Sequence, residues 1–220
     1  MEQKYGMSNY HLIAGIIAIV GAFAAGWYIS CLYAPKTPIT HSMIQLRQAM
    51  RELWAQHVIW TREFIVSQAA HADDLKAVTQ RLLKNQDDIG SAVVPFYGKA
   101  AGDALAKLLR EHIVIGAEVV KAAQEGDKTK LADQDKKWHQ NAQDLATFLH
   151  KANEKNWPYQ ALVDMLNEHL KVTTEEAVAH LKKQADADIA AFDKVFPQAM
   201  MMADALSDGI IKQFPEKFKA

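Results

Sequence analysis

The chain is expected to be all-α: an up-and-down bundle of four to six helices preceded by an N-terminal transmembrane helix. Three observations predict this. Apolar residues recur at steps of three and four along almost all of the chain after residue 40. The ten Gly and six Pro lie mostly between these periodic segments. No strand-like alternation of apolar and polar residues appears, and no repeat of fixed period is visible. Half of the 220 residues are hydrophobic and 23% are charged, which is ordinary for a folded protein. With a net charge of −1, bulk electrostatics favours neither nucleic acid nor an acidic surface as partner. The expected organisation is an anchor over residues 1–34, a linker over 35–39 and a bundle domain over 40–220.

The anchor comes first. No Lys, Arg, Asp or Glu occurs from Tyr5 to Ala34, and Leu12 to Tyr33 is a 22-residue apolar run. A helix of about 20 such residues crosses the hydrocarbon layer, so residues 12–33 are expected to engage a lipid bilayer as a single pass. Tyr10 stands at one end, and Trp27, Tyr28 and Tyr33 near the other resemble an interfacial belt. A cleaved signal peptide is the rival reading, because Ala22-Phe23-Ala24 is a small-x-small site. A lipoprotein reading at Cys31 is poorly matched by Tyr28-Ile29-Ser30. The few flanking charges decide little; a short N-tail carrying Lys4 commonly stays in the cytoplasm, so the bundle is expected on the outer, periplasmic or extracytoplasmic side. Cys31 is the only cysteine, which rules out an internal disulfide and thiolate metal ligation by the bundle.

Pro35-Lys36-Thr37-Pro38 reads as a stiff linker, each Pro barring helix at the residue before it. The first helix is predicted over about Thr40 to Ala70, with Leu46, Met50, Leu53, His57, Trp60 and Phe64 in register. A second, about Ala72 to Val94, carries Leu75, Val78, Leu82, Ile89 and Val93, and Pro95-Phe96-Tyr97-Gly98 breaks it. The third, about Lys99 to Gln124, aligns Leu105, Leu108, His112, Ile115 and Val119 and stops at Gly126. The fourth, about Lys128 to Ala152, aligns Leu131, Asp135, Trp138, Ala142, Leu145 and Leu149. Asn156-Trp157-Pro158 opens a short fifth helix holding Leu162, Met165 and His169. Thr173 and Glu176 have the spacing of a capping box, predicting a sixth helix that carries Leu181, Asp188, Phe192 and Val195. Pro197 should kink or interrupt it before Met202, Leu206 and Ile210.

His57, His112 and His169 each fall inside the apolar stripe of a different helix, where an imidazole must find a buried partner. Asp188 is a fourth candidate for the same layer. Three imidazoles and a carboxylate suit Zn, Fe or Mn. The paired Glu-x-x-His pattern of di-iron bundles is absent. Arg62, Asp88, Glu118, Asn141 and Asp144 border the stripes as candidate supports of these ligands, beside Asn85 and Gln86. His71, His139, His150 and His180 fall off the main stripes and are expected in solvent. Met202 is expected in the core, with Met200 and Met201 flanking it, and Trp54, Trp60, Trp138 and Trp157 are expected to fill the bundle. Gly98-Lys99 lacks the glycines and Ser/Thr of a phosphate loop.

One string has the look of a family signature: Leu53-Trp54, His57 and Trp60-Thr61-Arg62, then Asn85-Gln86 and Asp88-Ile89-Gly90. It continues with Pro95-Phe96-Tyr97-Gly98, Leu108-Leu109, His112-Ile113, His169-Leu170 and Gly209-Ile210-Ile211-Lys212-Gln213-Phe214-Pro215. It resembles a family of small bacterial helical-bundle proteins, from about Leu46 to the end. Some members carry the label acetylglutamate kinase or glycosyltransferase. Neither label fits, because both activities need α/β folds with nucleotide-binding loops. The resemblance includes all three stripe histidines and excludes the apolar N-terminal run.

The sequence thus predicts a membrane-tethered bundle that binds a metal ion or small ligand through buried histidines. The alternative is a structural or interaction module whose buried His/Asn/Asp network only fixes packing. No residue pattern names a reaction.

Overall fold

A computed structural model describes residues 38–219, so the proposed membrane segment at 12–33 lies outside the described residues. Thr40–Ala220 is a compact unit of its own. Its helices are α1 (His41–Ala70), α2 (Leu75–Tyr97), α3 (Lys99–Glu125), α4 (Lys128–Ala152), α5 (Tyr159–Leu181) and α6 (Ala185–Gln213), closed by a 3₁₀ turn over Pro215–Phe218. No strand occurs among the described residues, and no described helix is long and apolar enough to cross a membrane.

The helix ends follow local chemistry. Thr40 caps α1, its hydroxyl accepting from the Met43 amide at 3.3 Å. Asp127 caps α4 in the same way, accepting from the Lys130 amide at 2.9 Å. Between α2 and α3 a single residue, Gly98 at φ 81°, reverses the chain, which is why the break falls there and Pro95 stays inside α2. Gly126 ends α3 in the left-handed conformation.

Short connections force neighbours to run antiparallel. Each helix packs on the next, and α6 returns to α1, so the six form a closed ring. The odd-numbered helices α1, α3 and α5 also touch one another across its centre. Two apolar clusters fill the interior. On α1, Met50 and Trp54 belong to the larger one and Phe64 and Ile65 to the smaller, with His57 between them. Trp138, Trp157 and Met202 are buried as expected, while Trp60 is half-buried under the Arg81 guanidinium.

Two sequence expectations are corrected. Thr173 and Glu176 do not cap a helix; they lie within α5, which runs on to Leu181 and breaks at Lys182–Gln184. Both side chains are buried against the centre, and the backbone amides a cap would satisfy are already bonded within the helix. Pro197 does not interrupt the last helix: it lies within α6, which continues through it.

The α2–α3 hairpin depends on small residues at its crossing. A Cβ added to Gly90 would lie 2.6 Å from the Gly102 carbonyl oxygen and 2.7 Å from the Ala106 Cβ. Backbone on the far side leaves little room to yield. Gly90→Ala is therefore expected to destabilise the bundle by about 1–3 kcal/mol, read as a lowered midpoint in urea unfolding followed by circular dichroism.

Candidate functional site: a histidine axis

His57, His112 and His169 sit on α1, α3 and α5, the three helices that meet at the centre, and each is at least 95% buried. They come together. The His57 and His169 rings lie 5.6 Å apart between centroids. His112 is close enough to both for their charges to interact.

Each imidazole is gripped by the helix that follows it. His112 Nδ1 donates to Asn141 Oδ1 on α4 at 2.8 Å, and His169 Nδ1 donates to Gln198 Oε1 on α6 at 2.9 Å. The same two amides donate from nitrogen to the backbone carbonyl four residues before each histidine, Leu108 at 3.1 Å and Met165 at 2.9 Å. In the first hairpin the two tasks are divided. Gln86 Nε2 faces His57 Nδ1 at 3.2 Å, and Asn85 Nδ2 donates to the Leu53 carbonyl at 3.0 Å. The imidazole–amide separation is 29 residues in all three hairpins.

The bundle is thus three successive helical hairpins around a pseudo-three-fold axis. The repeat overlooked in the sequence is there, at 55 and 57 residues between histidines, but few side chains beyond the clamp keep it. Ile89, Leu145 and Met202 occupy one equivalent core position, and Thr61, Gly116 and Thr173 another. Gly116 is small for a reason: the Trp138 indole covers it, and an added Cβ would stand 3.0 Å from that ring.

The amides also set the tautomers. Carbonyl oxygens face Nδ1 of His112 and His169, so the proton sits there and Nε2 carries a lone pair. An amide N–H faces His57, which places its proton on Nε2. The Nε2 atoms have no hydrogen-bond partner among the described residues. Burial, followed by the like charge of His169, pushes the His112 pKa down to about 4. Burial also lowers His169, and burial with the charges of both neighbours holds His57 well below 6.5. All three are neutral at pH 7. A void of about 30 Å³ beside His112, the volume of one water, is lined by Thr61, Trp138 and Thr173 and otherwise by apolar groups such as Phe64, Leu82 and Val120.

Asp188 is not a fourth member of this layer. It receives the fork of Arg62, with Nη1 on Oδ1 at 2.7 Å and Nη2 on Oδ2 at 3.2 Å, and His180 Nδ1 at 2.8 Å. Arg62 also donates to Glu176 Oε1 at 2.6 Å and lies over the Phe192 ring. His180 is therefore part of an ion cluster rather than free in solvent. Of the five candidate supports, Asn141 alone touches an axis histidine. Asp88 pairs with Lys84, Glu118 with Lys130 at 2.7 Å, and Asp144 accepts from Gln140 at 3.0 Å. Gln198 and Glu176 were not foreseen. The constant spacing of 29 was the signal for the first; nothing local marks the second. Among the described residues no three His, Cys, Asp or Glu side chains stand close enough together, as they are, to hold a metal ion.

Two outcomes follow. Asn141→Leu leaves the His112 Nδ1–H buried without an acceptor and is expected to cost about 1–3 kcal/mol, measured by urea unfolding. Acid should act on all three imidazoles. Their folded pKa values lie below the unfolded value of about 6.5, so the unfolded chain takes up protons first as pH falls. Their contribution is complete above about pH 6.5 and is lost as pH falls through the folded values; for His112, whose folded value is about 4, this amounts to some 3 kcal/mol at about 1.4 kcal/mol per unit. Denaturant midpoints across that range check this; a flat profile would contradict it. No family model, no curated protein and no solved structure matches this chain.

Proposed function

We propose that residues 40–220 form a binding domain that takes one ion-sized guest, a transition-metal ion such as Zn, Fe or Mn, at the histidine axis, and that residues 12–33 tether it to a lipid bilayer. The observation that carries this reading is the clamp. Three neutral imidazoles converge with Nδ1 engaged on the outer side, which leaves Nε2 on the side away from the clamp. Metal-binding histidines are commonly oriented with the second nitrogen held by an oxygen acceptor, as His112 and His169 are here. The void beside His112 has room for one ion or water, and of the three axis histidines His112 alone lines it. A surface groove of about 320 Å³ between α3, α4 and α5 brings solvent to the far side of Trp138 and Thr173. Ring rotation, or a change in the Gln86 amide, is needed to bring the three nitrogens onto one ion.

A second reading is favoured by the spacing of the ligands as they stand. In it the histidines interlock neighbouring helices and bind nothing, and the domain works as a rigid scaffold. Elemental analysis separates the two. Full-length protein purified in detergent should carry a stoichiometric first-row metal that is lost from the His57→Ala/His112→Ala variant. Absence of metal from the wild-type protein, before and after incubation with Zn, Fe(II) or Mn salts, would leave the scaffold reading.

A further inference from the structure

The three hairpins do not close against their neighbours alike. Positions of the second hairpin correspond to those 55 residues earlier and 57 residues later, the offsets between the histidines and between their amide partners. Where α5 lies along the second hairpin, Ala123 of α3, Leu131 and Asp135 of α4 and Thr174 of α5 line the groove of about 320 Å³. Where α1 lies along the third hairpin, the same four positions hold His180, Asp188, Phe192 and Arg62. These side chains meet: Arg62 and His180 both donate to Asp188, and the guanidinium lies over the Phe192 ring. Where α3 lies along the first hairpin, the counterparts of Ala123 and Leu181 are Gln68 and Gln124, joined by a hydrogen bond of 2.8 Å. Two junctions are thus closed by their own long side chains. The third has alanine and threonine at matching places and stays open.

The open groove has the build of a small-molecule site, concave and mostly apolar with a few polar groups. Val120, Leu131, Val178 and Leu181 form its walls. Trp138 and Thr173, both at least 94% buried, mark its inner end beside the axis, the Trp138 and His112 rings lying 5.3 Å apart. The Thr173 hydroxyl there has no partner. The outer end, about 15 Å away along α4, carries Lys128, the one cation among the lining residues. Lys130 on the same helix pairs with Glu118, whereas Lys128 is exposed and enters no ion pair among the described residues. Asp135, the one anion of the lining, has His139 Nε2 beside it at 3.9 Å. A cavity of about 150 Å³ takes one benzene ring, so this groove has room for a body of about two fused rings. We propose that the groove binds a largely apolar carboxylic acid of that size, its ring body among α3, α4 and α5 and its carboxylate at Lys128. A wholly apolar guest would leave Lys128 unanswered, and a cationic one would meet it as a like charge.

The groove lies outside the histidine axis, so the proposal holds whether or not the axis takes a metal ion. Its test uses full-length protein labelled with fluorotryptophan, held in phospholipid nanodiscs and titrated with naphthoate under fluorine NMR. The Trp138 resonance, assigned by its loss in Trp138→Phe, should shift to saturation while those of Trp54, Trp60 and Trp157 stay in place. Ala123→Gln and Thr174→Arg install the residues that stand at the matching positions of the closed junctions. Each should weaken binding about tenfold or more, the range for a misfit in an apolar pocket, with the Trp54 and Trp157 signals unmoved. Lys128→Gln should weaken it about two- to five-fold, the contribution of an exposed ion pair. A Trp138 signal that does not saturate, or an affinity unchanged by both filling substitutions, would overturn the site. Naphthylmethylamine bound as tightly as naphthoate would overturn the carboxylate assignment and the proposal with it.

Discussion

A buried imidazole offers two nitrogens, and a helix stripe made of leucine and isoleucine offers neither a partner. The bundle depends on the way this conflict is met. An amide side chain on the next helix takes Nδ1 and, in two of the three hairpins, also donates to the carbonyl four residues before the histidine. One residue thus fixes both the rotation of the histidine helix and its height against the neighbour. Apolar packing is tolerant of small slips along a helix; a two-point amide clamp is not. Repeated three times, it sets three hairpins to one level and brings three imidazoles to the centre.

The first hairpin departs from this arrangement, and the departure has chemical consequences. With Asn85 and Gln86 dividing the work, Gln86 presents nitrogen rather than oxygen to His57, and its own oxygen is left without a partner. One imidazole is then a donor at Nε2 while its two companions are acceptors. A symmetric axis would have carried three lone pairs; this one is polarised. The lowered pKa of all three follows from burial, to which repulsion from neighbouring imidazolium forms adds at His57 and His112.

The ion cluster of Arg62, Glu176, Asp188 and His180 joins the ends of α1, α5 and α6 close to the point where the ring closes. The equivalent positions of Glu176 in the other hairpins are Phe64 and Val119, both in the apolar core. At this one position, polar character has been placed in one of the three hairpins only. A buried carboxylate held at one oxygen stabilises poorly.

The sequence by itself determined the all-α class, the ends of α1, α3 and α4 and the inward phase of the three histidines. These depend on period and on capping chemistry, which are local. It misjudged the boundary of α5, because Thr173 and Glu176 have the spacing of a cap whether they lie at a helix start or inside one. Asp188 was legible as buried but not as Arg62's partner: phase shows which way a side chain faces, not which residue on another helix it meets. The three-fold repeat escaped notice for a related reason. Its signature is a pair of residues 29 apart, His with Asn or Gln, and that pair acquires meaning only when two antiparallel helices bring it into contact. Convergence on one axis, the tautomer of each ring and the groove between α3, α4 and α5 were decided by tertiary structure, because each depends on the relative height of helices that the chain connects only through short turns.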